Sequence, residues 1–246
     1  MDNHFPFPVS KHTVPYITTN QMIEVDRLMI AEYGINLFQM MENAGRSLAT
    51  LTRELIKHNK SKKIIIFAGS GGNGGGGITA ARRLHNWGYK VNVVITSKPD
   101  KFNDTIKAQF DIIKKMKIEI FNSHNLDFSN KYDIIIDAII GYSLKGKLRK
   151  NVIDIISLIN KQDSTVISLD VPSGIDSTTG EIASTCIKAN YTMTLALPKT
   201  GFLNTIAKKY TGKVLLADIS VPPALYKNAF NIELPNLFNT NDIVCL

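Results

Sequence analysis

The chain has 246 residues, 44% of them hydrophobic and 20% charged, the balance of a soluble globular protein long enough to bury a substantial core without staples. A formal net charge of +8 favours an anionic partner, but the lysines lie singly or in short pairs with no Arg-rich stripe, which weighs against nucleic acid. No run approaches the ~20 apolar residues that span a bilayer, and the N-terminal residues lack the basic start and apolar run of a signal peptide. A cytoplasmic protein without membrane association is expected. Cys186 and Cys245 share no metal-ligand spacing and read as isolated thiols.

Residues 1–17 contain Pro6, Pro8 and Pro15 without periodicity and read as an extended arm. Thr18 and Gln21 have capping-box spacing, and Met22, Val25, Leu28 and Met29 then fall on one helical face. Gly34 ends that helix, and a second is expected over 37–58, so residues 18–58 form an entry pair. From residue 63 the pattern changes to short apolar runs at 64–68, 91–96, 118–121, 134–140, 165–169, 191–197 and 214–219. Most are β-branched on both faces, as parallel strands covered on each side require. Helices are expected between them at 77–86, 104–116 and 152–159. The alternation predicts one domain over 1–246: a Rossmann-like, doubly wound, mostly parallel sheet in a three-layer αβα arrangement, with its core at 63–220 and a tail at 221–246.

After the first strand comes Gly69-Ser70-Gly71-Gly72-Asn73-Gly74-Gly75-Gly76-Gly77. Such a loop permits positive φ angles and close backbone approach, and the following helix aims its free N–H groups at the same place, an arrangement that binds phosphate. The usual dinucleotide fold would place a carboxylate about 20 positions further on; the chain has Ile95-Thr96-Ser97-Lys98 there instead. The Lys and Ser/Thr of a P-loop are also missing, since Gly75 and Gly76 occupy those positions. In doubly wound sheets function collects at the carboxyl ends of strands. Asp137, Asp170 and Lys199 stand at such ends, and the segment Gly141-Tyr142-Ser143-Leu144-Lys145-Gly146-Lys147 carries two cations able to reach an anion. Asn73, Asp137 and Ser173 are hard oxygen donors from three strand-end loops, a set that suits an alkali or alkaline-earth cation better than zinc.

These motifs together resemble the NAD(P)H-hydrate epimerase family, the YjeF N-terminal domain family. The resemblance runs from Ile17 to Ser220 and includes Asp26-Arg27, Met41-Glu42-Asn43-Ala44-Gly45, the glycine loop, Asp137-Ala138-Ile139-Ile140-Gly141, Asp170-Val171-Pro172-Ser173-Gly174-Ile175-Asp176 and Leu197-Pro198-Lys199-Thr200-Gly201. It implies an isomerase that interconverts the R and S epimers of hydrated NADH and NADPH, cofactors damaged by a hydroxyl at C6 of the nicotinamide ring. A separate S-specific dehydratase would then restore the cofactor. It implies a potassium ion held by Asn73, Asp137 and Ser173, and substrate contacts from Gly72, Asn73, Gly74, Gly75, Gly76, the segment Gly141, Tyr142, Ser143, Leu144, Lys145, Gly146 and Lys147, and Asp170. Asp170 is the candidate acid-base residue, with Lys199 tuning it or holding phosphate. Gly72 and Gly76 stand where the family's usual loop has Asn and Asp. A non-catalytic nucleotide-binding or scaffold module of the same fold is the alternative reading. The arm and entry helices are the expected contact of a homodimer.

Overall fold

The computed structural model describes residues 5–123, 131–144 and 146–246. Two helices, α1 (Thr19–Ala31) and α2 (Leu37–Leu55), precede β1 (Lys63–Ala68), α3 (Gly72–Asn86), β2 (Lys90–Ile95), α4 (Asp104–Lys115) and β3 (Glu119–Asn122). The chain continues through β4 (Ile134–Ala138), α5 (Lys150–Ile159), β5 (Thr165–Leu169), β6 (Tyr191–Leu195), α6 (Lys208–Thr211), β7 (Lys213–Ala217), α7 (Pro223–Phe230) and β8 (Ile243–Cys245). Thr18 caps α1 with the expected capping box to Gln21, and Asn36 caps α2 in the same way with Gln39.

The eight strands form one sheet in the order β3-β2-β1-β4-β5-β6-β7-β8, and every neighbouring pair is parallel except β7 with β8. Alternation along β1 feeds two different layers. Ile64, Ile66 and Ala68 pack with Leu48 and Leu51 of α2, Ile78 and Leu84 of α3, and Ile106 and Ile113 of α4. Ile65 and Phe67 pack on the opposite face with Val152, Ile155, Ile156 and Ile159 of α5. Each such side chain, fully buried, contributes about 1.5–3 kcal/mol, which explains why the central strands are apolar on both faces. The three-layer expectation is met. Among the described residues no helix is long and apolar enough to cross a membrane.

Two expectations need correction. The segment 221–246, read as a tail, contains α7 and the edge strand β8, whose Ile243 and Val244 are buried against the sheet. The arm runs along the sheet where it is described: Val9 bridges to Cys245, and Ile17 donates its N–H to Pro198 and accepts from Thr200 beside Lys199. The second correction concerns the glycines. Helix α3 begins at Gly72 rather than 77, so most of the supposed loop is its first turns, and no residue from 69 to 77 has a positive φ.

These glycines serve close packing instead. A Cβ on Gly69 would lie 2.0 Å from the Ile139 carbonyl oxygen, one on Gly74 would lie 1.9 Å from that of Gly69, and one on Gly77 would lie 2.6 Å from Ala138 Cβ. On Gly75 it would meet Met41 Sδ at 2.5 Å, which lets α2 and α3 approach closely. Gly71 and Gly72 have nothing within 4 Å. Gly74→Ala is therefore expected to destabilise by at least the ~1–3 kcal/mol of an overpacked core, because the atom it meets is backbone. Gly71→Ala should stay within about 0.5 kcal/mol of the parent. Thermal midpoints of the two variants check the contrast, and equal midpoints would refute the packing account.

Candidate active site

The order of strands reverses between β1 and β4, and it is outside the carboxyl ends of strands at such a switch point that doubly wound sheets leave a crevice. A cavity of about 500 Å³ opens there. Residues 69–73 form one wall and residues 139–144 a second, because the loops after β1 and β4 diverge from adjacent strands. Leu169, Asp170, Leu195 and Lys199 make the floor, and Met22, Asp26, Met40 and Ala44 close the side facing α1 and α2. Lys147 and Arg149, both exposed, stand at the mouth.

The first intrahelical bond of α3 runs from Gly75 N–H to the Gly71 carbonyl. The amides of Gly72, Asn73 and Gly74 therefore have no partner within the helix and supply the positive end expected to meet an anion. Gly75 and Gly76 face packing rather than the cavity: a Cβ on Gly76 would meet Leu169 Cδ2 at 2.9 Å and Ala44 Cβ at 3.6 Å. Of the substrate segment, Gly141, Tyr142, Ser143, Leu144 and Lys147 line the cavity, whereas Gly146 is an exposed turn residue with φ +67°. Lys145 lies outside the described residues.

Asp170 and Lys199 meet on the floor. Lys199 is 0% exposed and Asp170 2% exposed, and Lys199 Nζ donates to Asp170 Oδ1 at 2.5 Å and to the Leu195 and Leu197 carbonyls at 2.8 and 3.1 Å. Lys199 is thus committed to the carboxylate and to backbone, which removes it as a phosphate ligand. The carboxylate is held at both ends: Leu195 N–H reaches Oδ1 at 3.2 Å, and Tyr142 N–H reaches Oδ2 at 3.0 Å. Asp170 has a left-handed backbone, φ +65°, a conformation that persists where surrounding bonds over-determine it. Its N–H to the Met193 carbonyl, at 2.7 Å, is one such bond.

Behind this floor lies Asp137, wholly buried. Oδ1 accepts from Ser173 Oγ at 2.6 Å and Ile139 N–H at 3.3 Å, and Oδ2 accepts from Ser168 Oγ at 2.8 Å and Ser173 N–H at 2.9 Å. Burial pushes its pKa up, and the hydrogen bonds from Ser173, Ser168 and Ile139 oppose that shift. Asn73 donates its Nδ2 to the Leu169 carbonyl at 3.1 Å. Its Oδ1 and Asp170 Oδ2 both converge on Gly141, where a Cβ would lie 3.0 and 3.2 Å from them.

Asp26 belongs to the motifs of the family resemblance but was given no site role by sequence, yet it lines the cavity and accepts a 2.5 Å bond from Tyr142 Oη–H. A signal for it existed: it falls four residues after Met22 and three before Met29, a carboxylate inside the apolar stripe of α1. Burial raises its pKa, with the Tyr142 hydrogen bond opposing. The Tyr142 hydroxyl is itself pushed well above its ordinary range by burial and by Asp26.

A family model described as YjeF-related protein N-terminus matches residues 37–201, which include the cavity segments after β1, β2, β4, β5 and β6. The chain belongs to the YjeF N-terminus family. It is 38% identical over 218 residues to a protein named NAD(P)H-hydrate epimerase from Dehalogenimonas lykanthroporepellens, covering 87% of this chain and 85% of that one. A protein of the same name from Lentilactobacillus buchneri is 34% identical, with 88% of this chain and 98% of that one covered. The Bifunctional NAD(P)H-hydrate repair enzyme Nnr of Moorella thermoacetica is 34% identical, but this chain spans only 41% of its length. The crystal structure of yeast ynu0, YNL200c, superposes with a TM-score of 0.80 at 25% identity, covering 95% of this chain and all of that one.

Proposed function

We infer that this family member is an NAD(P)H-hydrate epimerase, an isomerase acting on the C6 hydroxyl of hydrated NADH and NADPH. Near full-length alignment with stand-alone epimerases supports the activity. The observation that carries the site is a buried, lysine-paired carboxylate, Asp170, on the floor of a cavity flanked by a helix N-terminus. The dinucleotide phosphates meet the amides of Gly72, Asn73 and Gly74 and the cations Lys147 and Arg149. The nicotinamide ring lies deeper, over Asp170. Ring nitrogen N1 expels the neighbouring hydroxyl when an acid protonates it, and water re-adds to the other face of the iminium, general acid-base chemistry worth about 10²–10⁴-fold. Asp170, fixed by Lys199 and the Tyr142 amide, handles a proton on the face it meets. A separate S-specific dehydratase consumes the product. No observation favours the non-catalytic module.

The potassium expectation fits the residues present. Buried charges in proteins are paired or coordinate a metal, and among the described residues Asp137 has four hydrogen-bond donors but no cationic side chain. Among the described residues no group of three or more His, Cys, Asp or Glu could hold a metal ion, while Asn73 Oδ1, Ser173 Oγ and Asp137 are oxygen donors of the type hard cations take. Asn73, Asp137 and Ser173 would hold the ion, which would neutralise Asp137 and fix the loops after β1, β4 and β5.

The test mixes racemic hydrated NADH with an S-specific dehydratase and follows NADH absorbance. Added protein should drive recovery rapidly past the S half. Recovery no faster than the spontaneous rate would refute the epimerase reading.

A further inference from the structure

We propose that Asp26 is a second catalytic carboxylate, positioned by Tyr142, which serves the face of the nicotinamide ring opposite to Asp170. The proposal rests on the epimerase reading. Inversion at C6 requires a hydroxyl to leave one face and water to arrive on the other, so a single fixed group cannot reach both while the ring stays in place. The cavity is lined by two carboxylates from different elements, Asp170 just after β5 and Asp26 on α1. Tyr142 joins them: its N–H holds Asp170 Oδ2 at 3.0 Å, and its hydroxyl holds Asp26 Oδ2 at 2.5 Å. Among the described residues Tyr142 is the one hydrogen-bond partner of Asp26, which leaves Oδ1 for the cavity.

The two carboxylates sit in opposite surroundings. Asp170 has an ammonium at 2.5 Å. Among the described residues Asp26 has no ion-pair partner: Arg27, next to it on α1, is taken by Glu24 and Glu32. The titratable groups that act on Asp26 or feel it are Tyr142, Asp170 and Lys199 in the cavity and Tyr226 of α7. Burial favours its protonated form, and nearby Asp170 adds to that, against Lys199 and the Tyr142 bond. Pairs of acids whose environments separate their protonation states divide acid and base roles in this way.

The step balances without an oxidant. Asp26 gives its proton to the C6 hydroxyl oxygen, the C6–O bond breaks, and the N1 lone pair forms the iminium as water departs. A second water attacks C6 from the Asp170 face, the iminium pair returns to N1, and the proton released goes to Asp170. One water has replaced another, and the enzyme is left with Asp170 protonated and Asp26 ionised. That is the state needed for the reverse direction, and exchange with solvent at the cavity mouth resets it.

The experiment compares wild type, Asp26→Asn, Asp26→Ser and Tyr142→Phe in the dehydratase-coupled assay across pH, with thermal midpoints for each. Asp26→Asn and Asp26→Ser are expected to lose about 10²–10⁴-fold in kcat, with KM little changed. Because each direction needs Asp26 in one protonation state, wild-type turnover should show a limb set by its raised pKa, and that limb should vanish in Asp26→Asn. Tyr142→Phe should retain more activity than Asp26→Asn and keep a displaced limb. A folded Asp26→Asn within threefold of wild type overturns the proposal. So does an Asp26→Asn variant that loses as much as Tyr142→Phe while keeping the wild-type limb, which would make Asp26 a support for the loop. Wild-type protein that fails to accelerate recovery overturns the epimerase reading itself, and this assignment with it.

Discussion

Asp170→Asn is expected to cut epimerisation turnover by about 10²–10⁴-fold and, in the same variant, to destabilise the protein by about 3–5 kcal/mol. The second effect follows from Lys199. Its ammonium is 0% exposed, and among the described residues it meets, besides Asp170, the carbonyls of Leu195 and Leu197, Thr194 Oγ1 at 3.4 Å and the Tyr142 ring at 6.0 Å. Neutralising Asp170 strands a buried charge, which costs far more than a surface pair. For a domain of this size that is a fall of roughly 6–20 °C in thermal midpoint. The double variant Asp170→Asn/Lys199→Met separates the two effects. Removing both charges should recover most of the midpoint while turnover stays at the level of the single variant. A stable double variant with wild-type turnover would make the pair purely structural.

The parts of this molecule that were readable in sequence are those whose cause is local or repeats along the chain. Parallel strands covered on both faces must be apolar at every position, so Ile64 to Ala68 and Ile134 to Ala138 announce themselves. The Thr18–Gln21 capping box lies within four residues. The misreadings have non-local causes. Glycine propensity argues for a loop at residues 72–77, yet packing against Met41, Leu169 and Ala138 demands the absence of a Cβ there, and tertiary contact overrides propensity. Strand β8 has three residues and acquires its identity only from β7. The site was legible as residue types at strand ends. Its wiring was not, because the parallel register that sets Leu169 opposite Met193 is what carries Asp170 to Leu195 and Lys199. Asp26 was visible as a carboxylate in the α1 stripe, but its meaning depends on a tyrosine 116 positions away.

Potassium is expected to raise the thermal midpoint of the wild-type protein, and Asp137→Asn is expected to abolish that rise. Asp137 is an ionisable group with no exposed surface whose donors are all neutral: two serine hydroxyls and two backbone amides. Four hydrogen bonds offset part of the desolvation of a carboxylate, but an ion close by offsets far more, since the attraction grows as the local dielectric falls. The unfolded chain holds no such oxygen cluster, so binding stabilises by about 2.7 kcal/mol when potassium stands at 100 times its Kd, roughly 5–11 °C here. Choline chloride at equal ionic strength controls for screening, which acts on exposed pairs such as Lys150–Asp154 and not on a buried carboxylate. Ser173→Ala should weaken the response, because Ser173 Oγ is also a partner of the Ile140 backbone and its loss loosens the cavity wall as well as the donor set. Equal wild-type midpoints in potassium and choline would leave Asp137 with hydrogen bonds alone, and its burial would then be explained by protonation rather than by a cation.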